Sequence, residues 1–217
     1  MTGYAQGVRV ARIEPSDQID ERILASTVHL ISELGYDQVR LIDIADHSEV
    51  SIGSLQHRFR NRSTLLHSAI VLADEKSRKR VVAAFSEIKG SWQRLHAQID
   101  HLAGDTTHDT ETGYWLELLS ASSRNPELYE AMHTQQEYWL EVLETNLEQG
   151  LDSGELRSAL DAGKLAATIL ALIDGLFASR VFGDRYQDFA WVRGLIYDAV
   201  HALVQQAGTE ANRTESA

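Results

Sequence analysis

Apolar residues recur mostly three or four positions apart along the chain, which is the spacing of one face of an α-helix. The sequence has 2 prolines among 217 residues, and no run alternates apolar and polar residues between turn signals as a strand would. We therefore predict an all-α fold. The first helix should begin after Pro15, with Ser16 or Asp17 as its cap, and stop at Gly35. Its apolar face should consist of Ile19, Ile23, Thr27, Leu30, Ile31 and Leu34.

The same spacing predicts the elements that follow. Two short helices, at about 41–48 and 51–59, should be joined by a tight turn, and a long helix should run from about 63 to 88. Residues 89–91 break the pattern before a helix that contains Trp92, and the polar segment 104–113 is predicted to be a loop. Asn125 and Pro126 are typical of a helix start, and Gly150 is predicted to close that helix.

The last two predicted helices, at about 163–182 and 188–206, carry apolar residues most of the way round. Such helices must be buried on more than one side. In a chain of 217 residues, we expect a partner subunit to cover the second side, which predicts a homodimer through about 163–206. The small, polar tail 208–217 is predicted to be disordered.

Composition excludes several kinds of function. The chain has no cysteine, so disulfides, thiolate metal sites and cysteine nucleophiles are excluded. No stretch approaches the roughly 20 consecutive apolar residues of a membrane span, and the start of the chain does not resemble a signal peptide. A cytoplasmic protein without a membrane partner is therefore expected.

The net charge of -12 is unfavourable for a protein that contacts phosphates, but its distribution changes the picture. Residues 1–80 hold 11 basic and 11 acidic residues, whereas residues 81–217 hold 9 and 21. Within the neutral first part, residues 51–80 contain seven basic and two acidic residues, and Arg9 and Arg12 precede the first helix. A local basic patch is therefore available near the two short helices.

Those two short helices fit a helix-turn-helix, in which a supporting helix and a recognition helix are locked together by a small apolar core. Ser51 can cap the second of them and leave its first turn free to face the major groove. From periodicity alone, a short helical hairpin in an ordinary bundle is an equal alternative. The predicted core consists of Leu41, Ile44, Ala45, Val50, Leu55 and Phe59.

An ordered set of residues over about 19–66 resembles the signature of the TetR family of transcriptional regulators. The set is Gly35-Tyr36, Ile44-Ala45, Val50-Ser51-Ile52-Gly53-Ser54-Leu55, Phe59, Arg62 and Leu65-Leu66. The resemblance implies a homodimer that binds a palindromic, double-stranded operator, usually as a repressor. It also implies release of the operator when a small-molecule effector enters the C-terminal domain. The expected division is a DNA-binding domain over 1–62 and an effector-binding and dimerisation domain over 63–207.

The chain departs from the usual family pattern within this region. The family often has Thr at the positions of Val39 and Arg40, Gly at Glu49, Tyr at Gln56, His at Arg58 and Lys at Arg62. The acid in the turn predicts weaker or more selective DNA binding. Gln56 exchanges an aromatic phosphate contact for an amide that can read adenine.

DNA contacts are predicted on and around the second short helix. Ile52, Ser54, Gln56 and His57, with Gly53 among them, are the candidates for base edges. Ser51, Arg40, Arg58 and Arg62 are the candidates for positioning the DNA backbone, and Arg9 or Arg12 for reaching a neighbouring groove. The alternatives are plain surface exposure for Ile52, a solvated charge cluster for Arg58 and Arg62, and a packing gap at Gly53.

The resemblance places a set of apolar and aromatic residues around the effector pocket, although residues at such spacing are more often core. The set is Trp92, Tyr114, Trp115, Met132, Tyr138, Trp139 and Phe177. Acids at Glu111, Glu117, Glu137 and Glu141 suggest a cationic effector, with a hydrophobic one as the alternative. Asp174 lies in an apolar helix and needs a partner, for which a structural pairing with Arg180, Arg193 or the other subunit is favoured over an effector contact.

Catalysis and cofactors are not indicated. The sequence has no glycine-rich phosphate loop and no clustered acid–base set. His96 and His101 are five residues apart rather than the four that place two ligands on one helical face, so no metal site is expected. A helical interaction module that has lost DNA binding is the alternative function.

Overall fold

The computed structural model describes residues 16–85, 87–103, 109–179, 182 and 184–207. Apart from one short strand pair, the regular structure of this part is helical, as the spacing predicts. The elements are α1 (Ser16–Leu34), α2 (Leu41–His47), α3 (Ile52–Arg58), α4 (Arg62–Phe85), α5 (Ser91–Ala103), α6 (Asp109–Ser122), α7 (Pro126–Asp152), β1 (Leu156–Arg157), α8 (Ala162–Ser179), α9 (Asp184–Gln187), α10 (Phe189–Leu203) and β2 (Gln205–Gln206).

Local signals set several helix ends where the sequence predicts them. Gly35 follows α1 with a φ of +90°, and its N–H donates to the carbonyl of Ile31 at 3.0 Å. At the start of α7, Asn125 accepts a hydrogen bond from the N–H of Leu128 at 3.1 Å, and Pro126 occupies the first turn. These ends depend on residues within one turn of the boundary.

Two apolar cores hold the chain together, and α4 joins them. Its first half contributes Leu65, Leu66 and Ile70 to a core with α1, α2, α3, α6 and the start of α7. Val81, near its other end, belongs to the second core, which α5, α7, α8 and α10 form. Because one helix is packed into both cores, a displacement in one core can reach the other through α4.

The prediction that Gly150 closes α7 is wrong. The helix continues to Asp152, and Gly150 is buried inside it. A Cβ at this position would lie 2.7 Å from the Cβ of Ser91 and would also overlap Leu156. Gly150 therefore provides close packing, and the positive φ of +74° that ends the segment lies at Gly154.

The prediction of a loop over 104–113, made from its polarity, is wrong from residue 109 onward. Residues 104–108 lie outside the described residues, as do the tail 208–217 and the arm that holds Arg9 and Arg12. From Asp109 onward the chain is already helical as α6. The antiparallel pair of β1 and β2, in which Leu156 faces Gln206, was not predicted because two residues show no alternation.

Helices α8 and α10 leave much apolar surface uncovered within the chain. Among the described helices, α8 is long and apolar enough to cross a membrane by length and composition, and 28% of it is buried. A core helix of a soluble protein passes the same test. Its inner side packs on α7 and α10 through Leu165, Ile169 and Ile173. Its outer side, which includes Ala171 and Gly175, is exposed.

Candidate DNA-binding surface and effector cavity

Helices α2 and α3 pack against each other through a small buried core, in the manner of a helix-turn-helix. Ile44, Ala45 and Leu55 are at most 1% exposed. In the turn between them, the N–H of Val50 donates to the carbonyl of Ala45 at 3.0 Å. Glu49 has a φ of 54°, in the left-handed region that favours glycine. The family's frequent glycine at this position therefore has a backbone explanation.

Helix α3 presents most of the predicted base-reading residues to solvent. Ser51 caps it by accepting a hydrogen bond from the N–H of Ser54 at 3.1 Å. The side chains of Ile52, Gln56 and His57 are exposed together with Gly53, and Ser54 is half-buried. The sequence-predicted set is thus brought together on one short helix.

The basic residues expected to position DNA fall into two groups. Arg40 stays accessible: its guanidinium donates to the Asp43 carboxylate at 2.6 and 2.9 Å, and its side chain is 74% exposed. Arg58 instead forms a 2.6 Å ion pair with Asp20 of α1. Arg62 donates to the carbonyls of Val39, at 2.6 Å, and Tyr36. The guanidinium groups of Arg58 and Arg62 therefore connect elements within the DNA-binding end of the chain.

A cavity of about 670 Å³ lies between α1, α4, α5, α6, α7 and α8. Its volume is in the range of ligand sites, and its lining is largely apolar. It brings together Tyr114, Trp115, Met132, Trp139 and Phe177, which are five of the seven residues expected at the effector site.

The remaining two predicted residues lie elsewhere. Trp92 stacks on His201 with 5.0 Å between ring centroids, at the contact of α5 with α10. Tyr138 lies beneath Arg78, whose guanidinium is 4.0 Å from the ring centroid, and lines a separate groove. Consecutive helical residues point about 100° apart, so the adjacent Tyr138 and Trp139 face different surroundings.

The sequence did not predict that α1 and α4 would line the cavity. Leu24, Ala25 and Val28 of α1 do so, together with Ala69, Asp74 and Ser77 of α4. These α1 residues lie within the segment expected to form the DNA-binding domain. A weak signal existed: Leu24 and Val28 fall beside the main apolar face of α1, which widens that face.

The carboxylates at the cavity are not those predicted from the sequence. Glu137 and Glu141 are exposed, and the side chain of Glu111 lies outside the described residues. Glu117 faces α1 instead, where it accepts a hydrogen bond from the N–H of Tyr36 at 3.3 Å. The acids that line the cavity are Asp74 and Asp174.

Asp174 is not paired with Arg193, so that alternative is wrong. Arg180 lies outside the described residues, and a pairing with the other subunit stays a prediction. Arg193 instead lies 3.6 Å from Asp100. The Nε2 of Gln136 donates to Asp174 at 3.2 Å. Burial raises the pKa of Asp174 above its ordinary value, and this hydrogen bond opposes the shift.

Asp74 forms a 2.7 Å ion pair through Oδ2 with Arg78, one helical turn away. Burial raises the pKa of Asp74, and Arg78 opposes the increase. Among the described residues, the buried Oδ1 of Asp74 and the buried hydroxyl of Tyr114 have no hydrogen-bond partner. Burial also raises the pKa of Tyr114, so its hydroxyl remains protonated at neutral pH.

Histidines do not form a metal centre in the part of the chain that the structure describes, where no group of three or more ligand-type residues is found. His96 and His201 nevertheless lie with their Nε2 atoms 3.1 Å apart. Burial and the neighbouring His201 lower the pKa of His96. The sequence did not predict this pair because its members are on α5 and α10, far apart in the chain.

Comparison with protein families assigns both parts of the chain. Residues 23–69 match the model described as bacterial regulatory proteins of the tetR family. Residues 92–205, more than half of the chain, match the C-terminal domain of BetI-type transcriptional repressors. The first match covers the helix-turn-helix, and the second covers most of the cavity-bearing part.

Individual relatives agree with the family models. A fatty acid metabolism regulator protein of Bacillus subtilis is 26% identical over 171 residues, which is 77% of this chain and 86% of the relative. A transcriptional regulator of Saccharomonospora viridis in complex with choline is 25% identical with a TM-score of 0.80, covering 88% of this chain and 100% of that one.

A third relative, FadR of Bacillus subtilis in complex with stearoyl-CoA, shares the fold with a TM-score of 0.69 at 24% identity, over 83% of this chain and 96% of that one. The exposed α3, the packed α2–α3 pair and the cavity are thus found in a chain whose two parts both match regulator models. The chain belongs to the tetR family of bacterial regulatory proteins, with a C-terminal domain of the BetI-type repressors, and it is a ligand-responsive, DNA-binding transcriptional regulator.

Proposed function

We propose that this regulator is a cytoplasmic repressor that binds a palindromic operator as a homodimer and leaves it when an organic effector fills the cavity. The observation that carries the proposal is the lining of the cavity. Leu24 and Val28 of α1, which packs against the helix-turn-helix, and Leu170 and Phe177 of α8 contact the same space. An occupant of this space therefore contacts both the DNA-binding end and the far end of the chain.

The route from cavity to DNA runs through α1 and α4. Leu65 and Ile70 of α4 belong to the core of the DNA-binding end, and Asp74 and Ser77 of the same helix line the cavity. Helix α1 packs against α4, and its Asp20 pairs with Arg58 of α3. A ligand that moves α1 or α4 would therefore reorient α3. An effector has this result only if it binds one orientation better than the other.

On the DNA, α3 would enter the major groove, with Gln56, His57 and Ile52 as the base-reading residues. They are exposed. Arg40 supplies a phosphate contact because its side chain is accessible beside α2. Arg58 and Arg62 act by positioning α3 and α4.

The homodimer would form through the outer sides of α8 and α10. Ala167, Ala171 and Gly175 follow each other at four-residue spacing on α8, and all are exposed. Within the described part of the chain, no neighbouring heavy atom lies within 4 Å of the position a Cβ would take at Gly175 or Gly194. Small residues on an exposed apolar face allow a second pair of helices to approach closely. A dimer also supplies the two recognition helices that a palindrome requires.

The DNA-binding proposal is tested by fluorescence anisotropy with the intergenic duplex beside the protein's own gene. A scrambled duplex and a salt titration are the controls. We expect selective binding that weakens with salt, and a loss of at least tenfold in affinity for a Gln56→Ala, His57→Ala variant. Gln149→Ala, an exposed change on α7, should bind like the unaltered protein.

If the protein does not bind that duplex more tightly than the scrambled one, the next experiment is to select binding sites from random DNA sequences. If no sequence is enriched there, the chain is a helical interaction module and the repressor proposal is wrong. If binding is selective but the α3 variant retains it, the reading surface lies elsewhere.

A further inference from the structure

We infer that the effector is an organic amine with an apolar body, whose protonated nitrogen is held by Asp174 and whose second polar group reaches Asp74 and Tyr114. This inference rests on the proposed role of the cavity as the effector site. It adds the chemical class of the ligand and the residues that select it.

Asp174 supplies the charge that a protonated amine needs. It lies on α8 between the apolar Ile173 and Phe177 and lines the cavity. Among the described residues, the side-chain contact that the structure gives it is the hydrogen bond from Gln136. One amide donor does not compensate a buried carboxylate, so a cationic ligand group would find a strong counter-ion here. Trp139 lines the same cavity, and an aromatic ring there can contribute a cation–π contact to that cation.

The second polar end is defined by two atoms without partners. Asp74 and Tyr114 line the cavity, and the Oδ1 of Asp74 and the hydroxyl of Tyr114 are buried and lack a hydrogen-bond partner among the described residues. Buried polar atoms are rarely left in this condition. A ligand amine or hydroxyl can donate to Oδ1 of Asp74, and a hydroxyl can also accept from Tyr114. The apolar lining between the two ends requires an apolar body.

The cavity is also bordered by basic residues, which would suit an anionic ligand, but their surroundings weaken them. The side chains of Lys76 and Lys79 are 51% and 80% exposed, and they already pair with Glu21 and Glu75. Exposed charges act through water, where a charge pair is roughly fourfold weaker than at an effective dielectric of about 20. Arg80 at the cavity is exposed as well. Asp74 is itself paired with Arg78, so the selection by charge depends mainly on the partly buried Asp174, whose hydrogen bond comes from the neutral Gln136.

The test uses decylamine and decanoate, which share a ten-carbon chain and differ in the sign of the head group. Binding is followed by tryptophan fluorescence in a Trp92→Phe, Trp191→Phe background. Of the 4 tryptophans, this leaves the two that line the cavity, Trp115 and Trp139. We expect decylamine to bind at least tenfold more tightly than decanoate.

Variants then assign the selection to the carboxylates. Asp174→Asn should weaken decylamine at least tenfold, and Asp74→Asn should weaken 1,10-diaminodecane more than decylamine, because only the diamine has a second donor. The matched control is Glu137→Gln, which removes an exposed acid from α7 and should bind decylamine normally.

The inference is overturned if decanoate binds as tightly as decylamine, if decylamine shows no saturable binding, or if Asp174→Asn leaves its affinity unchanged. The proposed function is judged separately by adding each ligand to the operator complex. If decanoate binds and releases the operator, the repressor proposal holds and the amine inference is wrong. If decylamine binds through Asp174 without changing operator affinity, the inference holds and the effector role of the cavity is wrong.

Discussion

Two single residues depart from local rules at the proposed DNA-binding and effector sites. Glu49 adopts a φ of 54° between the two helices of the DNA-binding motif, and Asp174 is a partly buried acid on the apolar α8. The left-handed backbone of Glu49 and the partial burial of the Asp174 carboxylate each cost free energy. Replacing either residue should therefore increase stability while it alters binding.

Glu49→Gly should raise the free energy of unfolding by about 0.5–1 kcal/mol, because glycine adopts the left-handed region without a Cβ clash. Urea denaturation followed by circular dichroism measures the change. Glu49→Gln is the control: it removes the charge, keeps the Cβ and should leave the urea midpoint nearly unchanged. Equal midpoints for all three proteins would show that the turn is not strained.

Asp174→Asn should raise the melting temperature of the ligand-free protein at pH 7.5 by roughly 2–4 °C, which corresponds to about 1 kcal/mol for a chain of this size. Its pKa is raised in the folded state, so the folded protein binds this proton more tightly than the unfolded one. The stability that the proton provides is lost as the pH rises through the folded pKa. The gain should therefore vanish at acidic pH, below the ordinary carboxyl pKa. Asp198→Asn, at an exposed site on α10, should change nothing; an equal gain there would contradict the account.

At the scale of elements, the junction of α5 and α10 contains several aromatic side chains and one pair of neighbouring histidines. The ring of His201 stacks on those of Trp92 and His96, whose own planes are tilted to each other. The Tyr197 hydroxyl donates to Asp100 at 2.7 Å. The two histidine Nε2 atoms are 3.1 Å apart, so one Nε2–H can donate to the other nitrogen. Two Nε2–H groups cannot point at each other at this distance. The junction is therefore expected to weaken in acid.

Stability should fall between about pH 7.5 and 5.5, because His96 has a lowered pKa in the folded state. Below the ordinary histidine pKa of about 6.5, the unfolded chain takes up a proton that folded His96 resists. The urea midpoint across this range measures the effect, and His96→Gln should flatten its slope. His67→Gln, on the exposed side of α4, should leave the slope intact. Parallel slopes for both variants would rule out the junction as the cause.

Comparison of elements also shows what the sequence could predict. Gly35, Asn125 and Ser51 act on backbone groups within one turn, so their caps follow from local pattern. The cavity depends on which side of each helix faces inward, and periodicity does not distinguish Tyr138 from Trp139. Asp74 and the His96–His201 pair depend on contacts between helices distant in sequence.

At the scale of the whole molecule, two apolar cores share α4, and the described part of the chain leaves the outer sides of α8 and α10 exposed. The family gives the chain a regulator's role, and the proposed dimer makes a palindromic operator accessible to two copies of α3. The dimer and the coupling between cavity and DNA are therefore the two claims to test at this scale.

Gly175→Glu should weaken dimerisation at least tenfold without unfolding the chain. The position has open space in the single chain, but a charged side chain there would be buried by a second subunit. Sedimentation velocity over a concentration series measures the dissociation. Ser123→Glu, which adds the same charge to an exposed site after α6, should dimerise normally. A protein that is monomeric at high micromolar concentration would contradict the proposed interface.

The proposed regulation requires that the cavity and α3 be energetically coupled. Because the two binding events are linked, the coupling can be measured as a change in ligand affinity at the cavity when the operator is bound. Decylamine affinity, read from Trp115 and Trp139, is determined with the operator duplex and with a scrambled duplex. Coupling is reciprocal, so an effector that releases DNA must itself bind less tightly to the DNA complex. We predict an affinity at least fivefold lower with the operator and unchanged with the scrambled duplex. Saturable decylamine binding of the same affinity with both duplexes would contradict the account.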